Sequence, residues 1–249
     1  MITAILQYCT LDYKFLEVNL KNLSRFSNEI IIPICDHLFN GEKESEEGIK
    51  KTLEITKRFS NAKPYLFTWK GFVSNQKYYH NLSRKIGTEY SSNDWLLFLD
   101  GDEVVDDNFK YWFEQIKHTD ATYWLTCHWY FREPIYRATK TECAGLVIRK
   151  QHCMWNLQTE LERQQFHYLP NIINGDHQFI GYNKKPVIHH FSWVRTKTEM
   201  LQKVRNWGHR NDRDWEKSIE EEFSRPFNGT DFVHGYKYDI VDNEFNIIM

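Results

Sequence analysis

The feature that most constrains this chain is an alternation, sustained through its first hundred residues, of short apolar runs with longer amphipathic stretches. That pattern argues for βαβ units and a mainly parallel sheet, because each apolar run is covered on both faces by the helices that connect it to the next. Ile2 to Tyr8 reads as the first strand, and Asp12 is placed to cap a helix in which Leu16, Leu20 and Leu23 share one face at i, i+4 and i+7. Glu29 to Cys35 (EIIIPIC) is a second strand, in which Pro33 belongs at the end or where no ladder donor is needed. Glu42 to Lys51 lead a helix that runs to about Phe59, and Pro64 to Trp69 is a third strand. The next helix spans roughly Gln76 to Tyr90, and Asp94 to Leu99 (DWLLFL) is a continuous apolar strand. Four strands with three intervening helices make a doubly wound half-domain, whose ligands bind beyond the carboxyl ends of the strands.

After about residue 120 the texture changes to aromatic, alternating strands such as Ala121 to Phe131 (ATYWLTCHWYF), which suggest antiparallel additions to the same sheet. A final helical region runs from about Thr196 to Glu222, and the tail to Met249 has no strong period. No internal repeat or Pro/Gly/Ser-rich linker interrupts the 249 residues, so one domain is expected, and 41% hydrophobic residues supply its core. Lys plus Arg number 32 against 34 Asp plus Glu, which leaves no positive excess for a phosphate backbone, so nucleic acid is not an expected partner. Arg205, His209, Arg210 and Arg213 are interleaved with Asp212 and Asp214 and read as a solvated helix face. Five scattered cysteines in a chain this large read as reduced thiols. The N-terminus shows no basic region or cleavage site, and no apolar run approaches the ~20 residues of a membrane helix. A cytoplasmic chain without a transmembrane segment is expected.

The sharpest candidate for chemistry is Asp100-Gly101-Asp102-Glu103, directly after the fourth strand. In extended backbone, residues i and i+2 project to the same side, so Asp100 and Asp102 are expected to converge. Gly101 would permit close approach of a ligand or an unusual backbone angle. A divalent cation would relieve the repulsion between the carboxylates and offer a site to phosphate oxygens. The competing reading is an acidic turn capping a helix from about Asp106 to Lys117. No CxxC pair, HExxH, Gly-x-Ser-x-Gly, P-loop or Gly-x-Gly-x-x-Gly occurs, which excludes the common zinc, hydrolase and dinucleotide signatures.

A strand followed by Asp-Gly-Asp-Glu resembles the DxD motif of GT-A-fold glycosyltransferases, specifically the family 2-like group. The resemblance implies an α/β, GT-A (Rossmann-like) fold: a mixed, mainly parallel sheet flanked by helices, with antiparallel additions and a C-terminal helical region. In those terms 1–105 is the nucleotide-sugar-binding half, 106–195 the acceptor-side half and 196–249 a C-terminal helical extension of one domain. Asp36 then falls where the second strand ends at the nucleotide, although the usual Asp-x-x-Ser-x-Asp-Gly continuation reads Asp36-His37-Leu38-Phe39-Asn40-Gly41. Asn81 and Arg84 fall where a helix contacts the donor, with an exposed helix face as their other reading, and Asp100 and Gly101 of the acidic turn are expected to bind the donor too.

Ile188-His189-His190-Phe191-Ser192-Trp193-Val194-Arg195 is similar to the His-Tyr/Phe-x-Trp-Val-Arg element of some members, where a histidine completes the metal site. His190 is therefore expected to join Asp100 and Asp102 around Mn2+ or Mg2+. His189 should face the other way by alternation, or the two exchange roles if the register is opposite.

The function implied is a metal-dependent glycosyltransferase of hexosyltransferase type. It would move a sugar from a nucleoside-diphosphate donor, with UDP-sugars favoured, to a hydroxyl of a glycan, lipid or protein acceptor, with inversion. Inversion needs a carboxylate to take the acceptor proton. Asp176, in Asn174-Gly175-Asp176-His177, is the first candidate, and Glu160, downstream of Trp155, the second. Trp124, Trp129 and Trp155 lie in the region expected to receive the acceptor. The alternatives are a nucleotidyltransferase, which should carry a Gly/Arg/Lys-rich phosphate loop near its N-terminus, and a catalytically degenerate carbohydrate-binding protein on the same fold.

Overall fold

The computed structural model of the chain describes residues 1–68, 76–120, 122–153, 178–179 and 181–249. The alternation in the first hundred residues becomes β1 (Ile2–Gln7), α1 (Tyr13–Leu23), β2 (Glu29–Cys35), α2 (Glu46–Thr56), β3 (Ala62–Phe67), α3 (Gln76–Tyr90) and β4 (Trp95–Asp100). All four strands are parallel in the order β3-β2-β1-β4, with β1 and β4 in register from Ile2 opposite Trp95 to Gln7 opposite Asp100. Every residue of β1 is buried, as a central strand between two helix layers requires. Because the chain crosses from β3 on one side of β1 to β4 on the other, the topological switch point lies between β1 and β4.

Leu16, Leu20 and Leu23 of α1 are buried against the β1 and β2 core, as their spacing predicts. Asp12 stands at the N-cap position but makes no capping hydrogen bond, because its carboxylate turns to Arg195 instead. Pro33 lies inside β2, third from its end and opposite Tyr65 of β3.

The second part of the chain contributes β5 (Glu103–Val105), α4 (Asn108–Ile116), β6 (Tyr123–Phe131), β7 (Glu133–Arg149), the one-turn α5 (Lys150–Cys153), β8 (Gln178–Phe179), β9 (Ile188–Trp193), α6 (Lys197–Asn206), α7 (Trp215–Phe223) and β10 (Tyr238–Ile240). These strands extend the sheet as β4-β7-β6-β9-β5, with β8 on β6 and β10 on β7. β7 runs antiparallel to β4 and β6, while β9 is parallel to β6 and antiparallel to β5. The result is the mixed α/β sheet with antiparallel additions expected from the sequence.

α2 and β3 are Glu46–Thr56 and Ala62–Phe67 where the sequence suggested 42–59 and 64–69, and two further details differ from the sequence reading. The region 196–222 is two helices, since Trp207 is extended (ψ 155°) and Asp214 restarts the chain by accepting a hydrogen bond from the Lys217 amide. The aperiodic tail forms β10, too short a strand to have a readable period. Trp193, Trp207 and Trp215 cluster where α6 and α7 pack on β6 and β9, tying this region to the sheet. Of the residues read as a solvated helix face, Arg205 is helical and pairs with Glu216 of α7 (2.8 Å), whereas His209, Arg210, Asp212 and Arg213 lie in the connection between α6 and α7, with His209 on Asp212 (2.8 Å). All five cysteines are free thiols, and among the described residues no helix is long and apolar enough to cross a membrane.

Candidate functional site

Three junctions meet at the carboxyl end of the switch point: the 3-10 turn Thr10–Asp12 after β1, the Asp100-Gly101-Asp102 turn between β4 and β5, and the β9 to α6 connection. Helix α1 pins the acidic turn from beside it, with Asn19 Nδ2 donating to the Gly101 carbonyl (2.8 Å) and Asn22 Nδ2 to that of Val105 (3.1 Å). Gly101 is needed here for closeness to the chain itself: an added Cβ would stand 2.9 Å from Cβ and 3.0 Å from Oδ2 of Asp12. The space expected for a ligand at Gly101 is thus filled by Asp12. On the other flank Glu44, which follows β2, accepts from the Thr10 amide (3.0 Å) and hydroxyl (2.5 Å).

Asp102 is buried and is the hub of an ion cluster. Its Oδ2 accepts from Lys203 Nζ of α6 (2.6 Å) and lies 3.4 Å from Arg195 Nη2, while Oδ1 lies 3.4 Å from His190 Nε2 of β9. Arg195 is 1% exposed and also donates to Asp12 Oδ1, to the Leu11 carbonyl (2.6 Å) and to the Ser192 carbonyl (3.0 Å). Lys203 Nζ has a second acceptor in Ser192 Oγ (2.8 Å). Helix α6 holds its position through the Thr196 and Glu199 capping box and through Lys14 on Glu199 (2.8 Å). Burial pushes the Asp102 carboxyl up, but Lys203, His190 and Arg195 outweigh it and hold the group well below the usual range. Burial, followed by the Asp102 carboxylate, raises Asp12 despite the pull of Arg195. Burial lowers His190, and its bond to Asp102 more than restores it, so the imidazole is raised.

The contacts of Asp100 diverge from those of Asp102. Asp102 sits in a turn rather than in the strand, so the i and i+2 rule does not carry across. Asp100 Oδ1 lies 3.8 Å from Arg84 Nη2, Arg84 Nη1 donates to Asn81 Oδ1 (3.2 Å), and the Asp100 amide donates to buried Glu103 (2.9 Å). Asn81 and Arg84 are buried at 2% and 3% exposure, so they are not the exposed helix face that was the alternative. Asp36 is half-exposed at the end of β2, paired with His37 Nδ1 (2.7 Å). His189 faces away from the acidic turn as alternation predicts, toward Tyr130 Oη (2.8 Å) and Glu244 (3.2 Å). Trp129 is buried with its ring edge-on to His190, and Trp124 is half-buried. Asp176, Glu160 and Trp155 lie outside the described residues.

Arg195 and Lys203 are the site residues that sequence reasoning missed. Arg195 stood in the segment that singled out His190, but only the histidine was given a role there. Lys203 lies 101 residues from Asp102 on an amphipathic helix where nothing local marks it.

The expected cation set of Asp100, Asp102 and His190 does not fit this arrangement. Both Asp102 oxygens are taken up within the fold, Oδ2 by Lys203 and Arg195 and Oδ1 by His190 Nε2. Among the described residues no three His, Cys, Asp or Glu side chains are disposed to hold a metal ion.

No protein-family model and no curated protein matches the sequence. Among solved structures, the chain is similar to residues 1–349 of S. aureus TarS, at 12% identity over 90% of this chain and 70% of that one, with a TM-score of 0.46. It is similar to 4-diphosphocytidyl-2C-methyl-D-erythritol synthase at 10% identity, over 74% of this chain and 91% of that one, TM-score 0.47. The glycosyltransferase GlyE of Streptococcus pneumoniae matches at 13% identity over 89% of this chain and 63% of that one, TM-score 0.38.

Proposed function

We propose that this chain transfers a sugar from a nucleoside-diphosphate donor, UDP-sugars first, to an acceptor hydroxyl with inversion. The supporting observation is the gathering of Asp36, Asp100 with Arg84, and the Asp102 cluster at the carboxyl ends of β2 and β4, beside the switch point where doubly wound sheets bind nucleotides. In the reaction the acceptor oxygen bonds to the anomeric carbon as the bond from that carbon to the diphosphate oxygen breaks. The diphosphate leaves with the electron pair, and the hydroxyl proton passes to a carboxylate, for which Asp176 is the first candidate and Glu160 the second. Half-exposed Asp36 and Asp100 would orient the nucleoside and sugar hydroxyls, and Arg84 and Asn81 fix Asp100 from behind.

The test is a thermal-shift and titration series with UDP, GDP, CMP and dTDP, followed by release of nucleoside diphosphate from the matching sugar donor. One nucleotide should raise the midpoint, and Asp100→Asn should lower turnover at least tenfold while the fold is kept. No shift with any of the four, and no release, would sink the reading.

A further inference from the structure

A carboxylate at this turn that served a divalent cation would need oxygens open to it. Asp102 instead has an ammonium at 2.6 Å on one oxygen, a guanidinium at 3.4 Å on the same oxygen and an imidazole at 3.4 Å on the other. We infer that Lys203, backed by Arg195, takes the place of a divalent cation on Asp102, and that the chain binds its nucleoside-diphosphate donor without a metal. This rests on the donor reading proposed above.

The two cations divide the work by their surroundings. Arg195 is sealed at 1% exposure, and its guanidinium is shared among two carboxylates and two backbone carbonyls, so it supplies a fixed charge and no contact to a ligand. Lys203 keeps 13% of its side chain exposed. Its ammonium has three N–H groups, and Asp102 and Ser192 take two of them. Among the described residues no acceptor takes the third, which could meet a diphosphate oxygen. Position is not left to a flexible side chain either, since the helix carrying Lys203 is anchored by its capping box and by Lys14 on Glu199. A compact monovalent cation held at the acidic turn provides the counter-charge that a leaving diphosphate needs.

The test has two arms. In the first, UDP (or whichever of the four nucleotides gave the shift) is titrated calorimetrically into the full chain in EDTA and in Mn2+, for wild type, Lys203→Gln and Lys203→Arg. Wild type should bind within threefold in the two buffers. Lys203→Gln should lose at least tenfold in EDTA and recover part of it with Mn2+, whereas Lys203→Arg should stay indifferent to the metal. A tenfold or greater loss of wild-type affinity in EDTA overturns the inference. In the second arm Mn2+ alone is titrated with EPR detection. Wild type should leave the free-ion signal intact and Lys203→Gln should retain the ion; retention by wild type overturns the inference even if Lys203→Gln does not fold. If no nucleotide binds in either buffer, the donor reading fails, and the Mn2+ arm still decides the role of Lys203.

Discussion

Removing the Arg195 guanidinium would test whether the ion cluster is the structural keystone of the three junctions. Arg195→Met keeps an unbranched apolar stem, but deprives Asp12 of its cation and leaves the Leu11 and Ser192 carbonyls without their donor. Breaking a buried pair costs about 3–5 kcal/mol. Asp102 retains Lys203, so the main uncompensated group is Asp12, and the lower end, about 3 kcal/mol, is expected. For a chain of this size that corresponds to a fall in Tm of about 6–12 °C. Protonation should partly rescue the variant. Without Arg195 the folded-state pKa of Asp12, already raised, climbs further above its unfolded value, so the folded variant binds the extra proton and regains stability as pH falls from 7 toward 4. Arg195→Lys, which keeps the charge but not the fork, should fall between the two. Urea and thermal unfolding at pH 7 and pH 5 measure these differences. A loss under about 1 kcal/mol at pH 7, or a deficit that grows on acidification, would refute the reasoning.

Two further outcomes are expected. Gly101→Ala drives a methyl to 2.9 Å from the Asp12 side chain and should destabilise by about 1–3 kcal/mol with weaker nucleotide binding; unchanged melting would show that the turn can shift aside. Burial, then the neighbouring charges of His189 and Arg137, push the His128 imidazole down to about 4. The unfolded chain takes up that proton near pH 6.5 while the folded one stays neutral, so stability is lost as pH falls from about 6.5 to about 4. After allowance for partial exposure the loss is about 2 kcal/mol, and it should be absent in His128→Phe; parallel pH profiles for the two proteins would contradict it.

The first half of the fold was legible because its elements are announced locally. α3 matches its expected range, and β1, β2 and β4 match within a residue or so, since buried parallel strands read as apolar runs whatever surrounds them. The division of α6 from α7 and the existence of β10 were not legible, because a short break and a three-residue strand carry no period. In the site, Asp100, Asp102 and His190 stood out by their spacing and by resemblance, and Asp102 and His190 do meet. What those residues do there depends on partners that spacing cannot supply. The Asp102 to Lys203 contact joins residues 101 apart, and Gly101 is explained by a side chain in another turn.

The balance of charge decides how the acidic turn is to be understood. Two carboxylates, partly buried Asp12 and buried Asp102, face two cations, Arg195 and Lys203, so Asp102 is neutralised from within the fold. His190 turns its Nε2 to the same carboxylate, 3.4 Å from Asp102 Oδ1. On the donor reading proposed above, the partly exposed Lys203 suits a diphosphate better than a cation. The same balance makes the cluster sensitive in one direction. Taking away a cation leaves a carboxylate uncompensated, whereas Asp102→Asn leaves Lys203 partly exposed and still bonded to Ser192 Oγ. The folding loss for Asp102→Asn should accordingly be smaller than for Arg195→Met, and a reversed order in the same melts would show that the carboxylate, not the guanidinium, organises the three junctions.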